Sequence, residues 1–166
     1  MLICPDLFSA GAKAIRKLKR GEQLKEQYDN VQLWPSFFSG LEVISNRKTP
    51  FHRDAQSSPA MYDFLVSAGN HKGTWFSLPD IKTKLLYNPG TVIAICGKVL
   101  RHAVQSWKGE TDRLCIAHFM RDQVHNRLSI PRPPWVKDLP YLEMMDWAFL
   151  KRQEWIKEKV VDEEDL

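Results

Sequence analysis

The stretch Thr74–Met120, TWFSLPDIKTKLLYNPGTVIAICGKVLRHAVQSWKGETDRLCIAHFM, decides the fold. It divides into short apolar or alternating runs, Thr74–Leu78, Lys84–Tyr87, Thr91–Cys96, His102–Trp107 and Arg113–Met120. Between them stand Pro79-Asp80, Asn88-Pro89-Gly90 and Lys108-Gly109-Glu110. Runs this short, rich in β-branched and aromatic residues and bounded by turn residues, are strand grammar. Upstream, Leu41–Ser45 and Tyr62–Ala68 repeat the pattern, and Gly69-Asn70 closes the second. Seven or eight short strands with such regular punctuation predict a sandwich or jelly roll. If Lys108–Asp112 is the turn of a hairpin, Arg113 lies beside Ser106 or Trp107.

The flanks are helical. From Pro5 and Asp6 onward, Leu7, Gly11, Ala14, Ile15 and Leu18 fall on one helical stripe, with Gly21 placed to end it, and the flank is expected over residues 5–30. Beyond Pro131, Pro133 and Pro134, residues Leu142, Met145, Phe149, Ile156 and Val160 predict a second helical flank over 138–160, followed by an acidic tail. At 166 residues the chain suits one domain, 1–166, and is short for two. With 43% hydrophobic and 11% aromatic residues it excludes disordered and fibrous classes.

The odd set Cys4, Cys96 and Cys115 fits no metal-knuckle spacing and points to a reducing, intracellular location. The longest apolar run, Thr91–Cys96, is far too short to cross a bilayer, so no membrane association is expected. A net charge of +4 accommodates a polyanionic partner such as nucleic acid. Lys13, Arg16, Lys17, Lys19 and Arg20 at helical spacing read as a solvated helix face.

The chemistry concentrates at His52-Arg53-Asp54, where alternation on an extended backbone puts an imidazole and a carboxylate on one side. Two histidines and a carboxylate hold Fe(II) on one triangular face and leave positions open for co-substrate and dioxygen. The third ligand is expected at His102, which opens a strand after the buried run Thr91–Cys96. His71, in the turn Gly69-Asn70-His71-Lys72-Gly73, and His125, beyond the last strand, read as solvated loop residues. His118 has the opposite parity from Arg113 and points away from any site Arg113 enters. Arg113 suits the distal carboxylate of 2-oxoglutarate, which favours a bidentate guanidinium over an ammonium.

The competing reading makes Asp54 a turn cap and His52 an ordinary strand-end residue. A kinase loop at His52-Arg53-Asp54 is excluded, because no asparagine follows at the needed position. A P-loop at Gly97-Lys98 is excluded by Val99, which stands where the magnesium-binding hydroxyl would be.

Five segments, Asn46 to Asp54, Tyr62 to Ser67, Pro89 to Val92, Cys96 to His102 and Phe119 to His125, resemble the fungal branch of the TET/J-binding-protein oxygenases. The likeness runs from about Trp34 to Trp135 and sets the core at 34–135. It implies an α+β fold with a double-stranded β-helix (jelly-roll) core, and a dioxygenase using Fe(II), 2-oxoglutarate and O2. The implied substrate is a methyl group on a DNA base, chiefly 5-methylcytosine, with N6-methyladenine the second candidate. Methylated DNA is then the partner and the nucleus the expected compartment. His52, Asp54 and His102 take the metal positions, with Arg113 and Cys115 those of the co-substrate; Cys115 stands where relatives often have serine. Ser57, Phe119 and Arg121 are the implied substrate contacts. Two alternatives stay open: the same chemistry on an alkylated base or a protein side chain, and a non-catalytic jelly-roll binding module.

Overall fold

The computed structural model describes residues 4–21, 28–105, 107–108 and 112–133. All of these fall in one compact unit, Cys4–Pro133. Eight strands form its body: β1 (Gly40–Ser45), β2 (Thr49–His52), β3 (Asp63–Gly69), β4 (Trp75–Leu78), β5 (Thr83–Leu86), β6 (Val92–Ile95), β7 (His102–Val104) and β8 (Arg113–Phe119). They make two four-stranded antiparallel sheets, ordered β1-β8-β3-β6 and β2-β7-β4-β5. That interleaved order is the double-stranded β-helix, or jelly roll, and with its helices the fold is α+β.

All seven runs read from sequence contain strands, most with ends shifted by one residue, while β7 stops at Val104, three residues short of the expected Trp107. The eighth, β2, escapes the strand pattern because Pro50 sits inside it. Proline donates no ladder hydrogen bond, and β2 tolerates it as an edge strand paired only with β7. β7 and β8 do not pair as the hairpin expected at Lys108–Asp112 would require, since they lie in different sheets; residues 109–111 of the turn are outside the described residues. Ser106, one of the two residues expected beside Arg113, lies outside the described residues.

Between the sheets Phe76, Leu78, Tyr87, Ile93, Ile95, Val104 and Cys115 form the main core. Each large apolar side chain there stabilises the fold by about 1.5–3 kcal/mol relative to exposure. On β8 the residues Arg113, Cys115 and Ala117 alternate inward, so one strand supplies both core and site.

Helix α1 (Pro5–Arg20) follows the expected stripe, burying Leu7, Ala10, Gly11, Ala14 and Ile15. Pro5 begins it, where its missing N–H costs nothing, and the Gly21 N–H closes it by donating to the Leu18 carbonyl. Leu7 packs with Phe38, Met61 and Met120 in a second apolar cluster. Gly11 lies so close to Met120 and the Phe37 carbonyl that a Cβ would overlap both. Within the expected flank α1 ends at Arg20, residues 22–27 lie outside the described residues, and a short α2 (Tyr28–Gln32) is tied to α1 by Gln32 Nε2 donating to the Lys19 carbonyl; α3 (Asp122–Leu128) follows the last strand. The predicted helix over 138–160, and with it the single-domain span 1–166, lies outside the described residues.

Candidate active site

His52 closes β2, Asp54 follows in the next turn, and His102 opens β7 directly opposite His52 in the ladder. His52 Nε2 lies 3.5 Å from Asp54 Oδ1, and His102 Nε2 lies 3.7 Å from Asp54 Oδ2. One donor atom from each of the three falls within 4.8 Å of the others. Donors each about 2 Å from a common ion sit about 3 Å apart, so small side-chain adjustments close this set on a metal.

The histidine tautomers favour ligation. His52 Nδ1 is 2.8 Å from the Pro50 carbonyl, and His102 Nδ1 is 3.0 Å from the Leu100 carbonyl. A carbonyl only accepts, so each ring keeps its proton on Nδ1 and turns the Nε2 lone pair inward. His102 is 6% exposed and stacks on Phe76 with 5.5 Å between centroids. Burial holds its imidazole below the ordinary range and therefore neutral, as a metal ligand must be.

Gly97 belongs to this centre rather than to a phosphate loop. The Asp54 N–H donates to the Gly97 carbonyl over 2.9 Å, and a Cβ on Gly97 would overlap the Asp54 carboxylate. The chain approaches that closely only because no side chain intervenes.

The three residues border a cavity of about 270 Å3 between the sheets, and Arg113 lines the same cavity. Arg113 is 2% exposed. Its Nη1 donates to the Arg47 carbonyl over 2.9 Å, while its buried Nε has no hydrogen-bond partner. Its guanidinium carbon lies 5.8 Å from the Tyr87 ring centre and 5.7 Å from that of Trp107. Among the described residues no carboxylate forms an ion pair with it. A buried guanidinium that meets, among the described residues, a carbonyl and two aromatic rings but no carboxylate is arranged to receive an anion.

Cys115 also borders the cavity, with its Sγ 3.4 Å from the Tyr87 hydroxyl. Tyr87 is fully buried, and desolvation together with the Cys115 contact pushes its phenol far above the usual range, so it stays a neutral hydroxyl. The sequence gives Tyr87 no mark beyond ending an apolar run. Only the fold carries it beside Arg113.

Ser57, Phe119 and Arg121 border the cavity as well. Ser57 bridges to Arg121 in an antiparallel pair, and the Arg121 guanidinium lies 4.2 Å from the centre of the Phe119 ring. Sequence reasoning missed Asp63. It is 4% exposed, its Oδ2 is 3.5 Å from Ser57 Oγ, and its Oδ1 has no hydrogen-bond partner. Burial, then the charge of Asp54, pushes its carboxyl up to about 7.

Asp63 gives a pH signature in the metal-free protein. It holds a proton up to about pH 7 when folded, whereas an unfolded aspartate releases it near about pH 4. The folded state binds the extra proton between those values, so this group's contribution to stability falls as pH rises from about 4 through about 7 and is fully lost above that. With chelator present, Asp63→Asn is expected to raise Tm more at pH 8 than at pH 5. Thermal unfolding at both pH values checks this, and an equal shift at the two would contradict it.

Two histidines differ from the sequence expectation. His71 is not a solvated loop residue: it is 1% exposed, with Nε2 3.0 Å from Ser67 Oγ and Nδ1 2.6 Å from Thr74 Oγ1. His125 is fully buried on α3. Burial holds both below the ordinary imidazole range, so neither carries charge near neutral pH. His118 does face away from Arg113, and its ring packs 5.7 Å from that of Phe38.

A jelly roll with a His-Asp-His set and a buried arginine on one cavity defines the class of Fe(II)- and 2-oxoglutarate-dependent dioxygenases. The profile of the oxygenase domain of the 2OGFeDO superfamily, Tet_JBP, matches residues 2–122. The chain belongs to this TET/JBP family. Among solved structures it is similar to NgTET1 in complex with 5mC DNA, at 18% identity and a TM-score of 0.48, over 81% of this chain and 55% of that one. The chain thus spans about half the length of that structure. No curated protein matches it. Among the described residues no helix is long and apolar enough to cross a membrane.

Proposed function

We propose that this chain oxidises a methyl group on a DNA base, with 5-methylcytosine as first substrate and N6-methyladenine as second. The observation that carries the reading is the single cavity bordered by His52, Asp54, His102 and Arg113. His52, Asp54 and His102 would hold Fe(II), and Arg113 would hold the distal carboxylate of 2-oxoglutarate. Together with O2 these groups would supply an oxidant that converts a methyl C–H into C–OH, with 2-oxoglutarate converted to succinate and CO2.

The chain's own residues position the reactants. The Tyr87 hydroxyl, 3.4 Å from Cys115 Sγ and beside Arg113, would supply the second carboxylate contact that Cys115, a weak donor, would supply poorly. Phe119 and Arg121 offer an aromatic face and a cation to a base withdrawn from its stack. The Asp63 carboxyl, whose Oδ1 has no hydrogen-bond partner, offers a polar contact to the edge of such a base. A DNA substrate makes the nucleus the expected place of action.

Duplex and single-stranded DNA carrying each methylated base, incubated with Fe(II) and 2-oxoglutarate, tests this by mass spectrometry of the released nucleosides. Hydroxymethylated cytosine appearing in step with succinate is the expected result. Absence of oxidation on every methylated base would overturn the DNA reading, even if succinate still forms.

A further inference from the structure

We propose that Asp80, outside the cavity, is a positioning residue that holds the two ligand-bearing segments of the metal site together. Asp80 sits in the 3-10 turn Pro79–Ile81 between β4 and β5. Its Oδ2 accepts from Arg53 Nη2 over 2.9 Å and from the Arg101 backbone N–H over 2.7 Å. Arg53 lies between His52 and Asp54, and Arg101 immediately precedes His102. One carboxylate oxygen therefore ties the chain carrying the first two ligands to the chain carrying the third.

Two observations show why such a tie matters here. The β2–β7 ladder shifts register between Thr49 and His52, so backbone pairing is irregular next to the ligands. Arg53 also donates from Nε to the Val99 carbonyl over 2.9 Å, and Arg101 lies over the Phe51 ring at 4.9 Å. Residues flanking His52 and His102 are thus linked by side-chain contacts in addition to the β2–β7 ladder, and β2, an edge strand, pairs with β7 alone among the described strands. Residues that orient ligands set metal affinity without touching the ion.

This inference rests on the metal-site reading, and its test separates the two. Anaerobic Fe(II) titration is run on the wild type, Asp80→Ala, Asp80→Asn and His102→Ala, with circular dichroism and Tm on each. Asp80→Ala is expected to weaken Fe(II) binding about tenfold while the fold persists. Asp80→Asn is expected to recover part of this, since its amide oxygen still accepts from the Arg101 N–H. At saturating Fe(II) the KM for 2-oxoglutarate should stay at the wild-type value, whereas general destabilisation would raise it too. Wild-type affinity in Asp80→Asn and in any folded Asp80→Ala overturns the inference alone. Failure of the wild type to bind Fe(II) overturns the metal site and this inference with it.

Discussion

His102→Ala is expected to abolish metal retention and turnover together while leaving the jelly roll folded. His102 is the most buried of the three proposed ligands, and its Nδ1 contact with the Leu100 carbonyl fixes its donor atom toward Asp54. Changing a residue that merely orients a ligand already costs about 10–100-fold in metal affinity. Losing the ligand itself should exceed about a hundredfold. The truncated side chain leaves Phe76 without its stacking partner, a modest packing loss, so circular dichroism should stay native while bound iron, measured after desalting, disappears. Retention of iron by the variant would remove His102 from the site.

Arg113 should give the second-largest effect, and on a different constant. Its guanidinium is buried with one carbonyl partner, and its Nε is unpaired, so a carboxylate entering the cavity gains a charge-assisted, bidentate contact. Truncating one side of a buried charged pair costs about 2 kcal/mol or more, or roughly thirtyfold. Arg113→Ala should therefore raise the KM for 2-oxoglutarate at least that far while Fe(II) affinity stays close to wild type. Arg113→Lys keeps the charge but loses the planar fork, and should fall between. Steady-state kinetics with 2-oxoglutarate varied at saturating Fe(II) separates the three, and an unchanged KM in Arg113→Ala would take the co-substrate away from this residue.

The residues most readable from sequence are those whose placement depends on local geometry. Period-two alternation put His52 and Asp54 on one side of the chain, and the same parity turned His118 away from Arg113. His71 was not readable in this way: five polar and glycine residues in a row look solvated, and only folding brings Ser67 and Thr74 against its ring. His125 is also buried, on α3, by packing that no local pattern shows. Asp63 and Tyr87 are likewise ordinary by pattern, and become notable because the fold seals them against Asp54 and Arg113. The hairpin misreading has a topological cause. Neighbours in sequence usually pair, but in a jelly roll consecutive strands often lie in opposite sheets, so β8 meets β1 and β3 rather than β7.

The most direct measurement is an anaerobic titration of the wild-type protein with Fe(II) and then 2-oxoglutarate, followed by visible absorption. Chelation of iron by the keto acid in a site formed by His52, Asp54 and His102 should produce a weak charge-transfer band that saturates at one equivalent of each. The band should vanish in His102→Ala and require far more 2-oxoglutarate in Arg113→Ala. A wild-type protein that binds neither iron nor 2-oxoglutarate, and shows no band, would contradict the assignment of this cavity as a dioxygenase site.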